Sequence, residues 1–110
     1  MKQYIIDELR PTDYAALKTY LAEHYGTSAI DGIYWIPLAS EILTDIQRAH
    51  TDCRPHFVAV DLDGNRLACE FLVRNKHRVR CDCIDYATEN QRKWLIETID
   101  RIFDRLQIKT

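Results

Sequence analysis

The sequence predicts a single α+β domain, a two-layer sandwich whose antiparallel sheet carries three helices mainly on one face. Three extended segments follow one another between His56 and Tyr86, and short polar turns join them. Helical periodicity precedes and follows these segments, which gives the order β-α-(β)-α-β-β-β-α. The 110 residues are 46% hydrophobic and 29% charged, so one domain over residues 1–110 has enough apolar side chains for its own core.

The N-terminal half of the chain is predicted to contain one strand and two helices. Residues 3–9 favour an extended strand, and a helix follows with Thr12 as its N-cap and Gly26 as its left-handed end. Apolar residues at helical spacing predict a second helix over residues 38–50. The apolar run at residues 33–36 fits either a short strand or a tucked loop.

The first hairpin of the central sheet is expected to turn near Asp63. A two-residue turn at Asp63-Gly64 pairs Val60 with Leu67. A turn shifted to Gly64-Asn65 changes the partners but keeps the same side chains on each face, because strand side chains alternate with a period of two.

The second hairpin is expected to turn at residues 74–76. This register sets Glu70 opposite Arg80 and makes Cys69 and Cys81 neighbours in the core.

The last helix has the clearest pattern in the sequence. Thr88 and Gln91 form a capping box, and an apolar stripe at helical spacing follows them. The stripe consists of Leu95, Ile99, Ile102, Phe103 and Leu106.

Charge and hydropathy exclude several classes of protein. A formal charge of −2 and a pI near 6.0 argue against a dedicated nucleic-acid-binding domain. No stretch has the apolar run of a signal peptide or a transmembrane helix. The expected compartment is therefore the cytoplasm, where the four cysteines would be free thiols.

One cluster of potential metal ligands follows the second predicted helix. His50, Cys53 and His56 have the spacing H-x2-C-x2-H, and histidine and thiolate are good zinc ligands. A fourth ligand would have to be Asp52 or water. Structural zinc sites usually take paired ligands from two separated segments, so the alternative is a solvated loop with incidental histidines.

Cys81 and Cys83 form a C-x-C pair that is expected to be structural. On an extended strand the two thiols would lie about 7 Å apart, which is too wide for two ligands of one tetrahedral ion. Buried cysteine commonly acts as a small hydrophobic side chain. We therefore expect both thiols in the core.

Two surfaces are candidates for binding. The second hairpin carries cations with no acid among them, which suits an anionic ligand or an acidic partner, although charges also keep a sheet edge soluble. The second sheet face mixes aromatic and charged side chains, which suits self-association unless another segment covers it. The candidate residues are Arg74, Lys76, Arg78 and Arg80 on the hairpin, Phe57 and Tyr86 on the face, and Tyr34 and Trp35 near it in a segment of uncertain state.

The segments IIDELRPTDYAALKTYLAEHYG and FVAVDLDGNRLACEFLV resemble the first part of the GNAT acetyltransferase fold. The resemblance implies coenzyme A binding by a glycine-rich loop at the start of the helix that follows the meander. Here that position reads YATENQ at residues 86–91, with no glycine and with Glu89 where a phosphate would lie. The resemblance is therefore one of topology, and it carries no activity over to this chain.

Local catalytic signatures are absent from the sequence, which has three glycines and no P-loop, nucleophile elbow or H-E-x-x-H motif. The favoured function is a non-enzymatic cytosolic binding module that forms a homodimer and needs no cofactor. The alternatives are a metal-binding protein that uses His50, Cys53 and His56, and an acyltransferase-like enzyme.

Overall fold

The computed structural model describes residues 2–75 and 81–109, and it confirms the α+β class. Within these residues, six strands form an antiparallel sheet and three helices accompany it. The strands are β1 Gln3–Ile6, β2 Ile33–Pro37, β3 His56–Asp63, β4 Arg66–Glu70, β5 Leu72–Asn75 and β6 Asp85–Tyr86. The helices are α1 Pro11–Tyr25, α2 Asp45–Ala49 and α3 Glu89–Arg105.

Helix α1 begins earlier than predicted, because Arg10 rather than Thr12 is its N-cap. Pro11 suits the first turn, where its missing N–H would have had no partner. Asp13 accepts hydrogen bonds from the guanidinium and the backbone N–H of Arg10, and these hold the pKa of the Asp13 carboxyl below its usual value. The helix ends at Gly26, as predicted, with a φ of 75°.

The continuous helix predicted over residues 38–50 is wrong. A 3-10 turn at Ser40–Ile42 comes first, helix α2 then spans only Asp45–Ala49, and a second 3-10 turn covers Thr51–Cys53. Thr44 starts α2 afresh, because its side chain accepts a hydrogen bond from the backbone N–H of Gln47.

Strand β3 lies at the centre of the sheet. Strand β2 pairs with one edge of β3, while β4 and β5 lie end to end along the other edge. Strand β1 pairs with β4, and β6 pairs with β5. The register of β3 shifts by two residues between β4 and β5, so the chain bulges around Phe71.

In the first hairpin, each side chain lies on the predicted face of the sheet, and the strands pair in the register of the turn at Gly64-Asn65. Val60 pairs with Cys69 rather than with Leu67, and Asp63 pairs with Arg66 across the turn at Gly64. Gly64 has a φ of 48°, a conformation that glycine adopts without the penalty of a Cβ. The side chains on the predicted core face are buried because both registers keep the same parity.

The second hairpin does not have the predicted register. Arg74 and Asn75 belong to β5 rather than to a turn, and Val73 pairs with Asp85 in β6. The expected pairing of Glu70 with Arg80 lies outside the described residues. Within them, Glu70 instead forms an ion pair with Arg74 at 3.3 Å.

One hydrophobic core joins the sheet to helices α1 and α3. Helix α3 has the predicted capping box at Thr88 and Gln91 and the predicted buried stripe. Leu17 and Leu21 from α1 and Leu95 from α3 are fully buried in the same cluster as the side chains of β3. In the part of the chain that is described, no helix has the length and apolar character needed to cross a membrane.

We predict that Tyr4→Phe destabilises the fold by about 1 kcal/mol, the usual value of one hydrogen bond. The Tyr4 hydroxyl donates to Asp100 Oδ1 at 2.6 Å, which links β1 to α3 and raises the pKa of Tyr4 from 10.0 to about 12. This contribution is therefore fully present below pH 10 and is lost as the pH rises towards 12.

Urea denaturation of Tyr4→Phe and of the wild type at pH 8 measures the difference. Tyr86→Phe is the matched control, because Tyr86 is 46% exposed. Equal midpoints for Tyr4→Phe and Tyr86→Phe would contradict the prediction.

Candidate metal centre

Four potential metal ligands from two separate parts of the chain lie together beside the sheet. They are the side chains of His50, Cys53, Cys81 and Cys83, whose ligand atoms all lie within 4.8 Å of one another. Two of them belong to the cluster predicted from the sequence. The other two form the C-x-C pair that was predicted to be structural.

One distance within this cluster matches the separation of two sulfur ligands on a tetrahedral zinc ion. Zinc–sulfur bonds of about 2.3 Å place two thiolate sulfurs about 3.8 Å apart. The sulfurs of Cys53 and Cys81 lie 3.9 Å apart, and Cys53 Sγ lies 4.0 Å from His50 Nδ1. His50 Nδ1 lies 3.1 Å from Cys81 Sγ. This distance is shorter than that between two ligand atoms on one zinc ion, and it is typical of a hydrogen bond.

The first ligand pair lies where helix α2 ends. His50 is the C-cap of α2, and its backbone N–H donates to Ile46 O. The 3-10 turn that follows brings Cys53 back towards His50, because the backbone N–H of Cys53 donates to His50 O at 3.0 Å. The early end of α2 therefore creates this half of the cluster.

The second ligand pair lies on a turn rather than on a strand. The backbone N–H of Ile84 donates to Cys81 O at 3.0 Å, which closes a four-residue turn around Asp82 and Cys83. The expectation of two thiols about 7 Å apart is therefore wrong, since it assumed an extended backbone. Cys83 is buried, as predicted, whereas Cys81 is only partly buried.

The cluster makes its thiols unequal. A hydrogen bond from the backbone N–H of Cys83 is the largest of the effects that lower the pKa of the Cys81 thiol to about 7. Burial is the largest of the effects that raise the pKa of the Cys53 thiol to about 12. A bound cation favours the thiolate form of its ligands, so it would favour ionisation of Cys53.

A chain of buried amides fixes the turn that carries Cys83. Gln91 Nε2 donates to Gln47 Oε1 at 2.9 Å, and Gln47 Nε2 donates to the backbone carbonyl of Cys83 at 3.2 Å. Gln91 is fully buried and Gln47 is 2% exposed. The capping-box glutamine of α3 is thus connected to the cluster through the capping-box glutamine of α2.

A second amide contacts a ligand directly. Asn75 Nδ2, at the end of β5, donates to Cys83 Sγ at 3.3 Å. Such a bond stabilises a thiolate because it places a positive hydrogen against the charged sulfur. Among the described residues, the cluster therefore has two donors to sulfur that are not themselves ligand atoms, the Asn75 amide and the Cys83 backbone N–H.

His56 is not part of the cluster, although the sequence pattern grouped it with His50 and Cys53. His56 is the first residue of β3, pairs with Asn75 and is 2% exposed. Neither ring nitrogen has a hydrogen-bond partner among the described residues. Burial lowers the pKa of the His56 imidazole, so its neutral form is favoured.

Of the aromatic residues predicted at the second sheet face, Trp35, Phe57 and Tyr86 lie on that face and Tyr34 lies on the core face. Tyr34 is buried in the core and is 4% exposed. Trp35 and Phe57 are partly buried, and their rings contact each other edge to face with a distance of 4.8 Å between the ring centroids. They also line an open apolar pocket of about 430 Å³ near the end of α1. Arg74 pairs with Glu70, and Lys76, Arg78 and Arg80 lie outside the described residues.

Comparison with known proteins gives no relative: no protein-family model, curated protein or solved structure matches this chain. The resemblance to acetyltransferases therefore rests on the sequence patterns alone. A functional conclusion has to come from the chemistry of the site itself.

The missed ligands had a signal in the sequence. The pairs His50/Cys53 and Cys81/Cys83 are two separated short-spaced ligand pairs, which is the pattern that structural zinc sites prefer. The two pairs can form one site only if the chain turns at Cys81. The alternation of apolar residues in the third extended segment predicted a strand there instead.

We predict that Gln91→Leu destabilises the protein by about 2 kcal/mol, because it leaves buried hydrogen-bond partners unsatisfied. The lost bonds are those to Ile42 O, Gln47 Oε1 and the backbone N–H of Thr88. Arg92→Leu is the control, because Arg92 is the next residue of the same helix and is exposed. Chemical denaturation measures both changes, and equal effects would contradict a structural role for the amide chain.

Proposed function

We propose that this protein binds one zinc ion through His50, Cys53, Cys81 and Cys83, and that the ion has a structural role. The observation that carries the proposal is the convergence of four ligand atoms, from two separated segments, within 4.8 Å. Hydrophobic packing of free cysteines would not by itself favour contact between their sulfurs and the polar ring nitrogen of a histidine.

The donor set favours zinc over harder cations. Three sulfurs and one imidazole nitrogen form one of the usual structural zinc sets, whereas Mg²⁺ and Ca²⁺ prefer oxygen. Three thiolates around a divalent cation leave a net charge of −1, and the donors from Asn75 and the Cys83 backbone help to offset it. Copper(I) and iron are the competing thiophilic metals.

Four protein ligands complete the shell of zinc, which leaves no open position for substrate or water. This supports a structural ion rather than a catalytic one. The ion would join the end of α2 to the turn before β6, two segments that the described structure otherwise connects through the Gln47 side chain. The reducing cytoplasm is our proposed compartment, because it keeps thiolates available for metal.

The test is metal analysis of protein purified without chelator. We expect about one equivalent of zinc per chain, and removal of the zinc should lower the melting temperature, because structural zinc contributes folding free energy. Less than about a tenth of an equivalent of zinc after refolding with excess zinc would end the proposal.

Matched variants identify the ligands. His50→Gln and Cys81→Ser should lose the zinc, whereas His24→Gln and Cys69→Ala should keep it, because His24 is exposed and Cys69 lies in β4 outside the cluster. His56→Gln separates this ligand set from the one predicted by sequence spacing. Loss of zinc in His56→Gln, with retention in Cys81→Ser, would contradict the proposed set.

We propose self-association through the outer face of the sheet as a second function. This face is defined by the side chains that alternate with the buried ones, among them Ile5, Trp35, Phe57, Leu72 and Tyr86. Ile5 is 42% exposed and Tyr86 is 46% exposed, so apolar area reaches the surface. Asp61 and Arg66 on the same face are exposed charges of opposite sign, which suits pairing with a second copy of the face.

We predict that the wild type is a dimer in sedimentation velocity and that Ile5→Glu dissociates it, because a charge would be buried in the interface. Ile30→Glu is the control, since Ile30 is 62% exposed and lies in a loop outside the outer face. A wild type that stays monomeric at high concentration, or a dimer that survives Ile5→Glu, would contradict this second function.

A further inference from the structure

The thiols of the proposed zinc centre differ in their access to solvent. Cys53 and Cys83 are each 1% exposed, whereas Cys81 is partly exposed. Of these three cysteines, Cys81 is therefore the residue that a small solute reaches first from solvent.

A second thiol stands next to this accessible one. Cys53 Sγ lies 3.9 Å from Cys81 Sγ, and a disulfide requires about 2.05 Å. The two residues belong to separate short turns and not to strands of the sheet.

Cys83 is held more firmly than Cys53. Its sulfur accepts from Asn75 Nδ2 at 3.3 Å, and Gln47 holds its backbone carbonyl at 3.2 Å. Cys69, the fourth cysteine, lies in the middle of β4, where its neighbours across the ladder are Val60 and Tyr4. The geometry thus favours one oxidation product, the disulfide between Cys53 and Cys81.

We propose that the zinc centre is redox-sensitive: a hydroperoxide oxidises Cys81, Cys53 closes a disulfide with it, and the zinc ion is released. This inference rests on the proposed zinc binding and adds its regulation. Loss of two of the four ligands leaves only His50 and Cys83, which is too few for a stable tetrahedral site.

The chemistry balances with a hydroperoxide as the oxidant. The Cys81 thiolate attacks one peroxide oxygen, the O–O bond breaks, and Cys81 becomes a sulfenic acid while the other oxygen leaves as water after taking a proton. The Cys53 thiolate then attacks the sulfenic sulfur, and the displaced hydroxide takes a second proton to leave as water. Two thiolates are oxidised by two electrons, one hydrogen peroxide is reduced to two waters, and zinc departs as the divalent ion.

The accessible sulfur also has the features of a reactive thiol. His50 Nδ1 lies 3.1 Å from Cys81 Sγ, and Cys53 Sγ lies 3.9 Å from the same sulfur. Accessible thiols that stand beside a second thiol are the usual targets of peroxide.

The test treats zinc-loaded protein with hydrogen peroxide and follows zinc with a chromogenic indicator. We expect release of one zinc for each disulfide formed, and recovery of zinc binding after reduction with a thiol reagent. Trypsin separates the cysteines, because Cys53 lies in fragment 49–66, Cys69 in 67–74 and the C-x-C pair in 81–92. Further cleavage before Asp82 distinguishes Cys81 from Cys83.

The outcomes separate this inference from the zinc proposal. Protein that takes up no zinc ends both, whereas zinc that stays bound under peroxide overturns only the redox inference. A Cys81–Cys83 disulfide, or sulfinic acid on Cys81 without a disulfide, also overturns it. Cys69→Ala should release zinc and form the same Cys53–Cys81 link as the wild type, and a different product from this variant would contradict the assignment.

Discussion

The hydrogen bond between Gln91 and Gln47 is the interaction on which the arrangement of the candidate metal centre depends. Each glutamine first completes a capping box at its own helix, so each side chain is fixed by local sequence. The second hydrogen-bonding group of each amide then reaches across the core, and Gln47 ends on the carbonyl of Cys83. Since both amides are buried, any displacement of one helix would leave a polar group without a partner.

Buried polar groups need partners within the cluster as well, where the groups are thiols that can carry charge. Three thiolates this close together would repel one another without a cation, and burial also favours the neutral thiol of Cys53. A zinc ion reverses that balance, because it attracts the thiolates that it binds. The sulfurs of Cys53 and Cys81 lie 3.9 Å apart, so the proposed metal binding and the proposed oxidation would compete for the same two sulfurs.

Local patterns predicted those parts of the fold whose determinants lie within a few residues. Thr88 and Gln91 identified helix α3, and the alternation along β3 and β4 identified the buried face, because these signals do not depend on distant partners. Helix α2 was predicted too long, since apolar spacing over residues 38–50 ignored Thr44, whose side chain starts a new helix. Ile46 is one of the apolar residues with that spacing, yet it is 52% exposed.

The sequence by itself determined the α+β class, the parity of the sheet faces, and one half of the candidate site at His50 and Cys53. Only the tertiary structure decided that the other half is Cys81 and Cys83 rather than His56. The physical reason is that a strand and a turn can share the same apolar pattern, whereas the choice between them depends on long-range hydrogen bonds. Here these bonds come from Gln47 and Asn75, which belong to other elements of the fold.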